Sequence, residues 1–448
     1  MSTLAVVGAV LLLAAVAAMA VLGGVIPDVR AFQCAYAAAF AGYGLIVWAC
    51  LRHGGGDPDR KSGTRGGVSR TVGDPRTLPG RWPWWLAGAV AARIALLTTA
   101  PSDDVYRYAW EGRIQAAGFN PYVVAPDDPR LAGFRDDDWS HINHRDYPAI
   151  YPPLAELEFR LLAEMGAPLV AFKSVHAVWD CLTIVVLSAW LKAVGRPQHL
   201  AVVYALNPLV LTAFAVDGHV DSLMVLLLAL CGWAAARQRW SLAGAALGGA
   251  VLAKLIPIVV LPWLVWRRHW SAAGVCVAVV AAGYSVYAAD GLAVFDSLRR
   301  FAGTTACFSP TFPALVRVAG QYARLFAAIA ILLVLGWGLR RGEILERYAL
   351  RSFAVVILLS PVVHFWYLAP VLLFCAHTPR ASWLVLSCTM LFYFAAEEVR
   401  RQTGAWAMPA WVPWAVYAPF AVMWMAASIT SRLNAPGHPS PSEVHSDG

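Results

Sequence analysis

The sequence predicts an all-α polytopic membrane protein with a bundle of about 13–14 transmembrane helices, and three observations carry that reading. Hydrophobic residues make up 59% of the 448 and charged residues only 14%, whereas soluble domains are about a quarter charged. The apolar residues fall in runs of about 17–25, the length of a bilayer crossing. Trp is frequent, with 20 copies. Many flank the runs, as at Trp82, Trp84, Trp85, Trp263, Trp266, Trp270 and Trp411, which suits interfacial anchoring. A transmembrane barrel is excluded, because its strands would be about ten residues long and strictly alternating. The net charge of +8 comes from basic residues in short loops, where they set topology, and gives no sign of a nucleic-acid partner. The eight Cys stand singly and form no zinc or disulfide pattern.

Residues 1–51 hold two N-terminal transmembrane helices, about 3–25 and 31–51. The first lacks a basic leader region and a cleavage site, so it reads as a retained helix. Residues 52–82 are Gly-rich and basic and form a flexible cytoplasmic loop, which places the N-terminus in the cytoplasm as well. A third helix, about 83–100, then runs outward and delivers Asp103 and Asp104 to the extracytoplasmic side. The external loop 101–166 holds short amphipathic pieces. Crossings at about 168–193, 199–214 and 220–236 follow. Within 241–266 the stretch AKLIP sits mid-run. A continuous helix would carry Arg267, Arg268 and His269 outside; a hairpin broken at Lys254–Pro257 keeps them inside. The hairpin is preferred, since Pro removes a backbone donor and broken helices are tolerated where they line a cavity. The remaining crossings lie at about 270–289, 322–339, 349–362, 364–376, 381–397 and 410–430, with an external loop at 290–312. The core spans 83–376, C-terminal helices span 377–430, and 431–448 is a disordered cytoplasmic tail.

With this topology, the polar residues hardest to explain by packing fall at external helix ends. They are Asp103 and Asp104; His141, His144, Arg145 and the YPPL at 151–154; Asp217, His219 and Asp221; Lys254; Arg299 and Arg300; and His364. Ionisable groups beside crossings are functional candidates, but each also has a structural reading. Ser102 suits a cap, with two carboxylates in the first helical turn. Asp103–Arg107 and Arg107–Glu111 have i,i+4 spacing. Asp221 suits a cap for the next helix, and the Asp217/His219/Asp221 spacing also suits a metal. Lys254 suits snorkelling, His364 suits packing beside Trp366 and Tyr367, and Arg299–Arg300 suits a solvated pair.

Taken as one set, these residues fit group transfer. An external carboxylate takes a proton from an acceptor hydroxyl as general base. Lys254, with Arg299 or Arg300 and His364, holds and neutralises a phosphate leaving group. Tyr106, Trp110 and Tyr151 offer aromatic faces to a sugar, with Arg145 nearby. No Walker loop or Gly-rich dinucleotide turn is present, and nucleotides are not available outside a bacterial inner membrane. A sugar donor there is therefore lipid-linked. No cofactor is required, because Lys and Arg can do the phosphate work; a divalent metal stays open.

The blocks SDDVYRYAWEGRIQAAGFNPY, YPPLAELEF, NPLVLTAFAVDGHVDSLMVLLLAL, AKLIPIVVLP and SPVVHFWYLAPVL resemble, in the same order, bacterial polyprenol-phosphate-mannose-dependent mannosyltransferase-like proteins of the GT-C superfamily. The resemblance implies a GT-C-like helical fold, a polyprenyl-monophosphate sugar donor and inverting transfer on the extracytoplasmic face. The acceptor would be a glycan, lipid or protein hydroxyl. It implies that Asp103 and Asp104 carry the catalytic base, that Gly218, His219 and Asp221 match a GHxD-like turn, and that Lys254 is the Lys before Pro. Here the acidic pair follows the third crossing rather than the first, which two extra N-terminal helices explain. Two other readings stay open on the residues alone. A transporter or flippase predicts charges near the bilayer midplane and related halves; here they cluster at one face and no repeat is visible. A surface-glycan ligase or polymerase differs in using a diphosphate donor.

Overall fold

A computed structural model describes residues 2–53 and 84–433. The basic loop expected at 52–82, apart from its first two residues, and all but the start of the expected 431–448 tail lie outside the described residues. Helices α1 (Thr3–Val21) and α2 (Val29–His53) form a hairpin, and α3 (Trp84–Leu96) packs beside α1. The 101–166 segment carries α4 (Asp103–Ala116), two 3-10 turns at Pro129–Phe134 and Asp137–His141, and α5 (Pro153–Glu164). The long α6 (Leu169–Ala193) follows.

The expected fifth crossing is not one helix. It comprises a 3-10 turn, α7 (Val202–Ala205), α8 (Pro208–Leu211) and a π-helical turn at Thr212–Val216, with a bend of 57°. The break falls at Asn207–Pro208, where Pro removes a donor and disfavours helix at the preceding residue. The Asn207 carboxamide oxygen accepts from Leu209 N at 3.0 Å, which starts the helix again.

Helices α9 (Asp221–Ala236) and α10 (Trp240–Ala253) lead to a break at Lys254. A 3-10 turn at Ile256–Val260 then continues into α11 (Leu261–Trp266). The His269 ring stacks on Trp240 with centroids 3.4 Å apart, so the chain returns to the level at which α10 began, as a hairpin requires. Helix α12 (Trp270–Ser285) turns by 108° into the segment ending in α13 (Asp296–Thr304). Then come α14 (Phe312–Ala319), α15 (Ala323–Arg340), α16 (Leu345–Leu359), α17 (Ala369–Cys375), α18 (Ala381–Thr389), α19 (Ala395–Thr403) and α20 (Val412–Leu433).

The chain is thus an all-α polytopic membrane protein. Among the described residues six helical spans are long and apolar enough to cross a membrane, or eight if each of two bent pairs counts as one, fewer than the 13–14 expected. Among the described residues five further apolar helices are 10–17 residues long. The bundle centre is packed with apolar and aromatic side chains: Tyr204, Leu209, Phe214, Leu247 and Leu372 are fully buried. Small residues let backbones approach. A Cβ at Gly112 of α4 would lie 2.2 Å from Phe159 O of α5, so only Gly permits this helix contact.

One buried ion pair orients α3. Arg93 Nε donates to Asp180 Oδ2 of α6 at 2.7 Å, and Arg93 Nη1 donates to Ala89 O and Ala205 O. Tyr204 OH donates to the other carboxylate oxygen at 2.7 Å. The pair ties α3 to α6 and α7 and so fixes where α3 ends. Arg93→Met leaves Asp180 buried without its counter-charge and is expected to cost about 3–5 kcal/mol, read as a lower melting temperature in detergent. Arg93→Met with Asp180→Leu should recover most of that loss; an undiminished loss in the double variant would contradict this assignment.

Candidate active site

The end of α3 leaves carbonyls without helical partners. Lys173 of α6 supplies them: its Nζ donates to Leu96 O at 3.1 Å, Thr99 O at 2.5 Å and Thr99 Oγ1 at 2.7 Å. Four residues on, α4 begins with Asp103 and Asp104 in its first turn, where the helix dipole favours negative charge. Ser102 makes no side-chain cap, contrary to the sequence expectation. Its Oγ donates instead to Asp217 O at 2.9 Å, which fastens the start of α4 to the turn before α9.

That turn is shaped from below by the π-helical segment, a form common at functional sites. Asp217 N donates to Thr212 O and His219 N to Ala213 O. Gly218 has φ +75°, and a Cβ there would press on Lys173 and Val105 at 3.1 Å. His176 Nδ1 lies 2.6 Å from Gly218 O.

The turn projects His219 between two carboxylates. Its Nδ1 lies 3.2 Å from Asp104 Oδ2 and its Nε2 3.7 Å from Asp217 Oδ2, and its ring stacks on Trp366 at 3.7 Å. Burial opposes charge on His219, but these neighbours outweigh it and raise its pKa to about 9. Asp104 also accepts from Asn143 Nδ2 at 2.7 Å. Burial pushes Asp104 up, yet the His219 contact and the Asn143 hydrogen bond hold it below the usual carboxylate range.

Asp103 has the opposite environment. Burial, and then the adjacent Asp104 charge, push it up to about 7, with Arg400 opposing. Arg400 Nη1 stands 3.8 Å away and is itself paired with Glu397 at 2.8 Å. The Asp103 side chain is 40% exposed and that of Asp104 15%. Solvent screens part of the push on Asp103, but its sign follows from a like charge one residue away. Two neighbouring carboxylates thus have pKa values driven apart, the pattern that separates a proton-accepting group from a fixed charge.

The third expected cluster adjoins these. Lys254, in the break after α10, reaches Asp221 at 2.7 and 2.9 Å and lies over the Tyr367 ring at 4.5 Å. Lys254 is 22% exposed and Asp221 2%, so Lys254 pairs inward rather than snorkelling. Asp221 serves that pair rather than capping α9. The Asp217/His219/Asp221 triplet is therefore divided between two partners, and its members do not converge on one point. His364 stacks on Trp366 at 4.5 Å, and its Nδ1 is 2.7 Å from Tyr393 OH. Its ring is thus held by Tyr393 and Trp366.

Other expected residues lie elsewhere. Arg299 and Arg300 are exposed on α13, paired with Asp296 and Asp146, and neither forms an ion pair with the acidic turn. Arg300 covers Tyr147 at 3.8 Å. Trp110 is fully buried in a small core with Ile114, Val124, Leu131 and Ile142, so its face is not free for a ligand. Tyr106 stacks on exposed His141 at 4.8 Å, and His144 lies edge-on to Tyr147. Arg145 covers Trp139 at 4.3 Å. Tyr151 is half-buried, edge-on to Tyr108 and Phe159. Arg107 pairs with Glu111 at 2.8 Å, not with Asp103. Its guanidinium also donates to the carbonyls of Asn143, His144, Tyr147 and Pro148, pinning the loop that presents Asn143.

A family model described as alpha-(1->6)-mannopyranosyltransferase, N-terminal domain, matches residues 1–270. Another, described as glycosyltransferase family 87, matches residues 149–392. Among curated proteins, none matches the chain.

Gly218→Ala should destabilise the turn by about 1–2 kcal/mol, the cost of a left-handed backbone for a residue with a Cβ, plus the crowding against Lys173 and Val105. Thermal unfolding in detergent checks this; an unchanged melting temperature would contradict the described backbone.

Proposed function

The chain belongs to the membrane glycosyltransferase families of those two models, and we propose that it moves a sugar from a polyprenyl-monophosphate carrier to an acceptor hydroxyl. We place this reaction on the extracytoplasmic face of a bacterial inner membrane. The observation that carries the reading is the unequal acidic pair: Asp104, held by Asn143 at 2.7 Å and beside His219 at 3.2 Å, next to a more accessible Asp103 whose pKa burial and the Asp104 charge push up. The description of the first family model, a mannopyranosyltransferase, makes mannose the sugar of choice.

In the proposed step Asp103 takes the proton from the acceptor hydroxyl. The acceptor oxygen forms a bond to the anomeric carbon, and the bond from that carbon to the phosphate oxygen breaks. The electron pair leaves with polyprenyl phosphate. A single displacement of this kind inverts the anomeric centre. Asp104, fixed by His219 and Asn143, raises the basicity of Asp103 and does not itself accept the proton. Lys254 carries the phosphate charge; its ammonium has three N–H groups and shares two carboxylate oxygens of Asp221. His364 contributes a hydrogen bond. Arg299 and Arg300, held by Asp296 and Asp146, are left out of the phosphate site.

The sidedness rests on charge. Lys192, Arg196, Arg237, Arg239, Arg267 and Arg268 lie at the helix ends opposite the acidic pair, as cytoplasmic loops require. Donors on the other face are then lipid-linked, with the polyprenyl tail among the helices.

Purified protein given a panel of polyprenyl-phosphate hexoses should release polyprenyl monophosphate and a product heavier by one hexose, read by mass spectrometry. Release of a diphosphate would contradict the donor class. Asp103→Asn should lower kcat by about 10²–10⁴, the usual worth of a general base. Asp104→Asn should lower it less; equal losses would contradict the division of roles.

A further inference from the structure

Helices α4 and α5 touch where Gly112 meets the Phe159 carbonyl, and Glu111 of α4 faces Glu156 of α5 across this contact. Both side chains are buried, at 1% and 0% exposure, and lie within hydrogen-bonding reach of each other. Their other partners are fixed. Glu111 Oε1 accepts from Arg107 Nε at 2.8 Å, and Glu156 Oε2 accepts from Gln115 Nε2 at 2.8 Å. The Gln115 amide is locked in this sense. Its nitrogen also donates to Glu111 O and Glu156 O, and its oxygen accepts from Tyr287 OH at 2.7 Å. One oxygen is left over on each carboxyl, Glu111 Oε2 and Glu156 Oε1. Among the described residues neither has a donor.

Two ionised carboxylates in contact repel, and burial away from water makes that repulsion costly. Arg107 brings one positive charge. A proton held between Glu111 Oε2 and Glu156 Oε1 gives both leftover oxygens a hydrogen bond and leaves one negative charge to match Arg107, as in carboxyl pairs that share a proton. The electrostatics run the same way: burial, then the Glu111 charge, push Glu156 well above the usual carboxylate range, and burial pushes Glu111 up against the pull of Arg107. Asp104 adds to the push on Glu111. Tyr122, Tyr151 and Tyr287 are the further ionisable groups around the pair. Helix α6 brings Lys173 and His176, engaged with Thr99 O and Gly218 O, and α10, packed on α5, carries no ionisable side chain. The remaining N–H groups of Arg107 go to the carbonyls of Asn143, His144, Tyr147 and Pro148, and Asn143 Nδ2 donates to Asp104. The carboxyl pair is thus joined to the acidic turn through one guanidinium and one loop.

We propose that Glu111 and Glu156 share one proton, and that the neutral unit they form with Arg107 positions the 143–148 loop and so sets the Asn143 amide on Asp104. Both glutamates are positioning residues; their part in transfer rests on the reading above, while the shared proton does not. The test uses full-length protein in nanodiscs. Glu156→Gln puts a permanent N–H where the proton lies. The infrared difference between wild type and Glu156→Gln should contain a protonated-carboxyl band that shifts in D2O. The folded pair keeps a proton that unfolded glutamates release, so its stabilisation is full below the ordinary Glu pKa and is lost as pH rises above it. The wild-type melting temperature should therefore fall relative to that of Glu156→Gln as pH rises. Absence of the band, or parallel melting profiles, would overturn the shared proton. Sugar transfer by Glu156→Gln should stay within about twofold of wild type, since the hydrogen bond is kept. Glu111→Gln/Glu156→Gln also removes the anion. Amide exchange in 143–148 should quicken, and kcat should fall by about 10²-fold, the cost of a displaced group. Adding Asn143→Ala should then lower kcat by no more than about twofold further, because the two changes act on one contact. Glu111→Gln alone, which moves the anion away from Arg107, gives the same readings if the double variant does not fold. Fully additive losses, or unaltered loop exchange, would overturn the positioning role. The band with quickened loop exchange in a protein that transfers no sugar would keep the proposal and reject the transferase reading. Normal transfer without the band would do the reverse.

Discussion

The contact between His219 and Asp104 sets the character of the acidic turn. An imidazole placed with one nitrogen 3.2 Å from Asp104 and the other 3.7 Å from Asp217 is stabilised as a cation, despite its burial. That cation fixes Asp104 as an anion, and Asn143 reinforces it. Asp103 is then left partly buried beside that negative charge, with Arg400, itself shared with Glu397, and His219 only partly offsetting it. An upward pKa for Asp103 follows from its burial first and from this arrangement of charges second.

The fold supplies the geometry through contacts between helix ends rather than through long helices. Arg93–Asp180 sets α3 against α6, Lys173 closes the end of α3, and Ser102 ties α4 to the 217–221 turn. Arg107 holds the 143–148 loop by four carbonyls and so presents Asn143. Asp103 is partly exposed, while Arg93, Asp180, Lys173 and Arg107 are buried. A rigid support around an accessible acidic turn is what positioning for group transfer requires.

Much of this was legible in sequence. Runs of bilayer length and the Lys/Arg bias report the class of fold because lipid permits few alternatives. Pro after Lys254 signalled the hairpin that the Trp240–His269 stack records. Asp103, Asp104, His219, Asp221 and Lys254 stood out because charges beside crossings are costly, and they do assemble. Their pairings were not legible. Ser102 has cap spacing, yet Asp217 O competes for its hydroxyl, and Arg107 has i,i+4 choices in both directions but turns to Glu111. Trp110 and Arg300 look alike in sequence as ligand groups, whereas one is enclosed in a core and the other is paired at the surface; only tertiary packing separates them. Asn143 and Arg400 were missed. Asn143 carries no charge to mark it, but the run EEVRR at 397–401 was a signal at the end of a crossing.

The measurement that bears most directly on this division of labour is the pH dependence of kcat/KM for sugar transfer in the wild type and in Asp104→Asn. A base must be unprotonated to act, so wild-type activity should rise with pH through about 7, where burial and Asp104 place Asp103. Removing the Asp104 charge removes the largest upward push after burial, so the rising limb should move to lower pH in the variant. A limb that stays in place, or moves to higher pH, would contradict the assignment of Asp103 as the base and Asp104 as its fixed charge.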